Sequence, residues 1–147
     1  MSKTNTKEIG FEELIEKKLN KLHKYRIRTS SDFDKVLAMD KGLVIEFIQI
    51  SQPDAWGKLV DQYEADVESE FLKRLDAEIS DRGLLSVFRE GVTDRGIKIN
   101  IAFWKPQSHL NEEVWKDYEM NILSVMRQVK YSTKNENSID VVISLNG

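Results

Sequence analysis

The sequence predicts a single α/β domain: a helix-rich N-terminal half followed by a small mixed β-sheet. Three observations predict it. Apolar residues recur at helical spacing from Phe11 to Ile79. After Gly96 the period changes to two, the period of a strand. The composition, 40% hydrophobic and 32% charged with 7 Gly and 2 Pro, is that of a folded chain and not of a disordered one. At 147 residues the chain can bury one core, is short for two ordinary domains, and shows no linker, so residues 1–147 read as one domain.

Each element has its own signal. Phe11, Leu14, Ile15, Leu19 and Leu22 make a first amphipathic helix of about four turns, whose stripe should face the core. Asp32 can cap a short helical segment over Phe33 to Met39. Leu43 to Ile50 suits a buried helix or a strand, and is read as helix. Pro53-Asp54 opens the next helix, with Trp56, Leu59, Val60 and Tyr63 on one side. Val67, Phe71, Leu75 and Ile79 repeat every fourth residue in a long helix ended near Gly83, and a short helix over Leu84 to Arg89 is closed by Gly91. Ile97, Ile99, Ile101 and Phe103 then alternate with polar or small residues in a half-buried strand stopped by Pro106. A helix from Glu112 to Met120, capped by Asn111, separates it from a second strand over Leu123 to Tyr131. The polar loop Ser132 to Ser138 leads to a third.

That third strand, Ser138 to Leu145, is mostly Val, Ile and Leu and is expected to be buried. Asn146-Gly147 behind it is the strongest two-residue signal for a β-hairpin turn, with no returning strand in the chain. A strand left unpaired on one side is a liability, so the chain is expected to be the N-terminal piece of a longer protein and able to self-associate through this strand. Asp140 is the anomaly within it. An acid in so apolar a strand needs a partner for its charge, a metal ion being one, unless the strand edge leaves it in water.

Charge and composition narrow the function classes. The absence of cysteine removes disulfide scaffolds, thiolate zinc sites and cysteine nucleophiles. No apolar run approaches a membrane span and the start MSKTNTKEIG lacks a signal-peptide core, so no membrane contact and a cytoplasmic location are expected. The net charge of -3 conceals a basic segment, Lys17, Lys18, Lys21, Lys24, Arg26 and Arg28 with no acid among them, and an acidic stretch from Asp54 to Asp81. The basic segment is either a solvated helix face or a local phosphate contact. His23 and His109 share no metal-ligand spacing and read as an exposed helix residue and a loop residue. Trp56, Trp104 and Trp115 read as core or interface aromatics. No GxxxxGK[ST], GxGxxG, HExxH or GxSxG signature is present.

Several stretches in collinear order carry a resemblance. They are Gly10 to Leu22, Arg28-Thr29-Ser30-Ser31-Asp32-Phe33-Asp34, Gly42 to Trp56 with Gln52-Pro53-x-x-Trp56, the two Arg-Gly turns leading into Ile97 to Pro106, and Asn121 to Tyr131 with Arg127-Gln128-Val129. Together they resemble the N-terminal region of the R subunit of type I restriction enzymes, the HsdR family, over nearly the whole chain. The resemblance implies a nuclease fold of the PD-(D/E)xK type, here incomplete at its C-terminus. Asp140 matches the first acid of that motif, with Ile139 in place of the preceding Pro, and the Glu-x-Lys half has no counterpart in the chain.

The chemistry so implied is magnesium-dependent phosphodiester hydrolysis, in which the cation stabilises charge on the phosphate and a water is activated. A lone Asp is a foothold for Mg2+ and seldom a site, so the fragment by itself is expected to be inactive. Gln128, on the adjacent strand, is a second catalytic candidate; Glu12 and Glu16, four apart on the first helix, are metal-ligand candidates if one points to the sheet end, and solvated acids otherwise. Arg127 and Lys130 are candidates for phosphate contact on DNA, although a local acid paired with Arg127 would explain that residue equally well. The implied partners are DNA and the modification and specificity subunits, with ATP used by a motor region outside this chain. The alternative is a non-catalytic docking domain that uses the acidic helices from Asp54 to Asp81.

Overall fold

The computed structural model describes residues 3–147. In chain order the elements are α1 (Lys3–His23), β1 (Arg26–Arg28), a 3-10 turn (Ser30–Asp32), α2 (Lys41–Ser51), α3 (Pro53–Gln62), α4 (Val67–Arg82), α5 (Leu84–Glu90), β2 (Val92–Asp94), β3 (Ile97–Ile99), α6 (Glu112–Glu119), β4 (Leu123–Lys130) and β5 (Ser138–Leu145). This is the mixed α/β composition expected. The residues cluster into two compact units, one holding the chain up to Lys41 with 122–145 and 147, the other 42–121 with 146.

The second of these units is the more apolar. α2 buries Leu43, Val44, Ile45, Phe47 and Ile48, almost its whole circumference, which settles the helix reading of that segment. Pro53 starts α3, where its fixed φ suits a first turn, and Trp56 packs edge-on against Phe71 of α4 at 6.0 Å. α4 ends at Gly83 (φ 84) and α5 at Gly91 (φ 72). At Gly91 a Cβ would lie 2.5 Å from the Ile99 carbonyl oxygen, so no other residue fits the close approach to β3. β2 and β3 form a hairpin turned by Arg95 (φ 49) and Gly96 (φ 80), the left-handed pair of a type I′ turn.

The strand expected over Ile97 to Phe103 stops at Ile99 and pairs with β2 alone. Side chains take over its backbone groups. The Gln52 amide accepts from Asn100 N (2.7 Å) and donates to Asn100 O (2.8 Å), and Asn121 does the same for Phe103 N (3.1 Å) and O (2.7 Å). A backbone satisfied in this way has no need of a ladder partner. Trp56 is buried as expected, whereas Trp104 is exposed, its indole N–H donating to Phe88 O at 3.2 Å. His109, read as an unpaired loop residue, stacks on Trp115 at 4.7 Å, over an open cavity of about 460 Å³ lined also by Glu112, Lys116 and Glu119.

The first unit carries the sheet, in the order β1-β4-β5, with β1 parallel and β5 antiparallel to β4. Three expectations fail here. The segment Phe33 to Met39 is a turn, not a helix: Asp34, not Asp32, holds it, its Oδ1 accepting from Val36 N and Leu37 N (both 2.9 Å), while its backbone pairs with Met39. β5 is an edge strand and not a buried one, with Ile139 45% and Ile143 55% exposed. The buried apolar residues of the sheet come from β4: Val125, Met126 and Val129. Finally, α1 seats only part of its stripe: Ile15 and Leu19 are half-buried on the side of Glu12, which is 5% exposed, while Phe11 (64%), Leu14 (48%) and Leu22 (65%) are exposed. The reason is that β4 offers α1 a guanidinium and an amide, which only the acidic side of the helix can satisfy.

Among the described residues, no helix is long and apolar enough to cross a membrane.

Candidate functional site

β4 brings two consecutive polar side chains, Arg127 and Gln128, to α1. In a regular strand neighbours point to opposite faces. Gln128 departs from that geometry with φ 52, a left-handed conformation that costs a non-glycine residue about 1–3 kcal/mol and tends to be kept where a site requires it. The ladder keeps its register on both sides, Arg127 opposite Val141 and Val129 opposite Ile139, so no residue is inserted and Gln128 stands opposite Asp140. Asp140 lies on the exposed edge strand, in water, as the second reading of that acid had it.

Three predicted site residues come together here. Gln128 Nε2 donates to Glu12 Oε2 at 3.0 Å and Oε1 at 3.1 Å, and the same nitrogen lies 3.5 Å from Asp140 Oδ1. The amide oxygen accepts from Ser138 Oγ at 3.3 Å. Two carboxylates from different elements thus converge on one amide, whose N–H groups answer their negative charge. Ser138 was not singled out in the sequence, where a strand-end Ser beside a polar loop carries no distinguishing signal.

The other candidates lie beside this cluster. Arg127 Nε donates to Glu16 Oε2 at 3.1 Å, and its Nη2 is 3.9 Å from Glu13. Glu12 and Glu16 share a helix face, as their spacing implied, but Glu12 meets Gln128 while Glu16 is held by the guanidinium. Lys130 pairs with Glu136 of the β4–β5 loop, and this ammonium holds the Glu136 carboxyl below its ordinary range. His23 is exposed at the end of α1. Lys17, Lys18, Lys21 and Lys24 are exposed too, whereas Arg28 of the same basic segment is bonded to Asp40.

The donor set tests the fit of a cation. Among the described residues no three His, Cys, Asp or Glu side chains cluster to hold a metal. Mg2+, however, is commonly held by one or two carboxylates with the remaining positions left to water and substrate phosphate. Glu12 and Asp140 supply two. Two carboxylates are the part of such a site that these residues supply, with the Gln128 amide nitrogen standing between them.

Comparison with protein-family models, with curated proteins and with solved structures returned no match.

Proposed function

We propose that the first unit is part of a magnesium-dependent DNA-cleaving domain of the PD-(D/E)xK type, belonging to the restriction subunit of a type I enzyme. The observation that carries the reading is the convergence on the Gln128 amide of buried Glu12 from α1 and exposed Asp140 from the edge strand β5, with Gln128 itself on the central strand β4. The resemblance asks for an acid at Asp140 and a helix acid pointed at the same sheet end, and Glu12 meets that second requirement.

Asp140 and Glu12 would hold Mg2+, which when bound supplies charge stabilisation on the phosphate and a more acidic water. Gln128 orients Glu12 through two hydrogen bonds and fixes the distance between the acids. Arg127 positions α1 through Glu16, so its charge is spent within the protein. Lys130, at the same end of β4 as Gln128, is the cation nearest the acids for a DNA phosphate, and it would have to leave Glu136 to reach one. The Glu-x-Lys pair, the ATP-driven motor and the contacts to modification and specificity subunits fall outside this chain in the resemblance, so the chain alone is expected to leave supercoiled plasmid intact in Mg2+.

Mn2+ binding tests the reading directly. Titration followed by the free-ion electron paramagnetic resonance signal should show weak binding by the chain, reduced about tenfold or more, that is at least 1.4 kcal/mol, by Asp140→Asn and by Glu12→Gln. Equal binding by folded wild type and Asp140→Asn would overturn the assignment. In the full-length subunit, Asp140→Asn should remain folded and lose cleavage.

A further inference from the structure

Lys7, Phe11, Leu14, Lys18 and Leu22 succeed one another at steps of three and four residues, which sets them in one row along α1. All five are exposed. Lys17 and Lys21 lie on one flank of the row, joined by Lys24 just past the helix end, and the half-buried Ile15 and Leu19 lie on the other. Glu8 is the one acid of this helix left exposed, because Glu12 is buried and Glu13 and Glu16 face Arg127.

Charge complementarity indicates what this face meets. Lys41, Lys73 and Lys130 are each paired with an acid, whereas among the described residues none of the five lysines here is. Their charge calls for an anion outside the chain. Duplex nucleic acid would answer the lysines alone, leaving Phe11, Leu14 and Leu22 against water and phosphate. An anionic bilayer answers both: apolar side chains enter the boundary between headgroups and acyl chains, while lysine stems lie along them and the ammonium heads stay at the phosphates. The cations are all Lys, without the Arg fork that fits one fixed carboxylate or phosphate, and flexible point charges suit a surface of laterally mobile headgroups.

We propose that the outer face of α1 docks the protein on an anionic phospholipid surface, with the helix lying flat in the headgroup region. From Lys7 to Leu22 the row runs about 22 Å at 1.5 Å per residue, so its apolar side chains enter at points spread along the contact. A helix that lies on a bilayer needs no spanning segment, and the expectation of no membrane contact rested on the lack of one. The face is independent of the metal site, whose helix acid Glu12 lies on the opposite side of α1.

Co-sedimentation of the 147-residue chain with vesicles tests it. The chain should bind phosphatidylcholine vesicles containing about 30% phosphatidylserine and not vesicles of pure phosphatidylcholine. Raising the salt from about 0.1 M to about 1 M, which shortens the screening length from about 10 Å to about 3 Å, should release most of it. At roughly fivefold per lysine, Lys7→Glu with Lys18→Glu should weaken binding about twentyfold or more. Phe11→Ser should weaken it about tenfold. Both variants should keep the wild-type melting temperature, because these side chains are already exposed. A chain left in the supernatant by anionic vesicles, equal binding to pure phosphatidylcholine, or a folded variant of either kind that binds as well as wild type overturns the proposal. Duplex DNA held through Lys7 and Lys18, with Phe11→Ser unchanged and no vesicle binding, would assign the face to nucleic acid. Self-association lost in Phe11→Ser without vesicle binding would assign it to a second copy. Either result equally overturns the membrane assignment.

Discussion

Arg127 and Gln128 are consecutive in β4, yet both side chains hold the same helix, Arg127 at Glu16 (3.1 Å) and Gln128 at Glu12 (3.0 and 3.1 Å). The left-handed backbone at Gln128 accompanies this break with strand alternation. Together the two contacts account for the seating of α1, because turning Glu12 and Glu16 inward leaves Phe11, Leu14 and Leu22 in water with only Ile15 and Leu19 half-buried beside the acids. The same rotation brings a carboxylate to the Gln128 amide, whose Nε2 lies 3.5 Å from Asp140 Oδ1.

The strain at Gln128 can be measured by comparing two substitutions that both delete the amide. In an ordinary strand Gly is less stable than Ala by roughly 0.5–1 kcal/mol. At φ 52 the order should invert, with Gln128→Gly more stable than Gln128→Ala by about 1 kcal/mol, because only glycine lacks the Cβ clash of the left-handed region. Urea denaturation with matched m-values reads the difference. If Ala is the more stable, the backbone at this position is not strained.

How much of this was legible in the sequence depended on the length of each periodic signal. α3, α4, β4 and β5 repeat a period, α5 and α6 are marked by a Gly stop and an Asn cap, and the apolar run of α2 suited helix or strand; all were read with their types correct. β1 and β2 are three residues each, Arg-Ile-Arg and Val-Thr-Asp, too short for any period to register. The stripe of Phe11, Leu14 and Leu22 correctly indicated a helix but not which side faces inward, since that is decided by the polarity of β4 more than a hundred residues away. At the site, four-residue spacing put Glu12 and Glu16 on one face but could not choose between them. Only their different β4 neighbours do that. Nothing in the sequence marks Gln128 as left-handed.

Two glycines at helix ends differ in what surrounds them, which makes a paired test. Gly83 (φ 84, ψ 152) has nothing within 4 Å of where a Cβ would stand, so Gly83→Ala should show only the backbone strain of a region that side chains avoid, about 1–3 kcal/mol. Gly91 (φ 72) adds a 2.5 Å approach to the rigid Ile99 carbonyl. Gly91→Ala should therefore be destabilising by about 3 kcal/mol or more, since the hairpin must move to relieve it. Similar melting temperatures for the two variants would show that β3 can shift freely.

Acid should loosen the turn from Asp34 to Met39. The amides of Leu37 and Val36 and the Lys41 ammonium hold the Asp34 carboxyl below its ordinary value of 3.8. A carboxyl depressed on folding stabilises the folded state above the unfolded value, and that contribution is lost as pH falls through the folded one. Amide exchange at Val36 and Leu37, corrected for its intrinsic pH dependence, should accelerate below about pH 4 and not above it. Asp34→Asn should abolish that pH dependence; a profile unchanged by the substitution would remove Asp34 as the cause.

The seating of β1 rests on an ion pair between a half-buried guanidinium and a buried carboxylate, whose disruption should be far worse than its replacement. Asp40 is 1% exposed and accepts from Arg28 Nε at 2.7 Å and Nη2 at 3.1 Å, the fork geometry of a bidentate pair. Arg28 also lies 3.5 Å from Asp32, so one guanidinium ties β1 to the following turn. Arg28→Met deprives a buried carboxylate of both charge-assisted bonds and should destabilise by about 3–5 kcal/mol. Arg28→Lys keeps the charge but not the fork, and should fall between wild type and Arg28→Met. Adding Asp40→Asn to Arg28→Met removes the buried negative charge and should restore much of the loss, because a neutral amide is far less unfavourable in that position than a carboxylate. A double-mutant cycle by urea denaturation gives the coupling. If Arg28→Met alone is destabilising by less than about 1 kcal/mol, the pair behaves as a solvated surface bridge, and β1 is held to β4 by its three-residue parallel ladder alone.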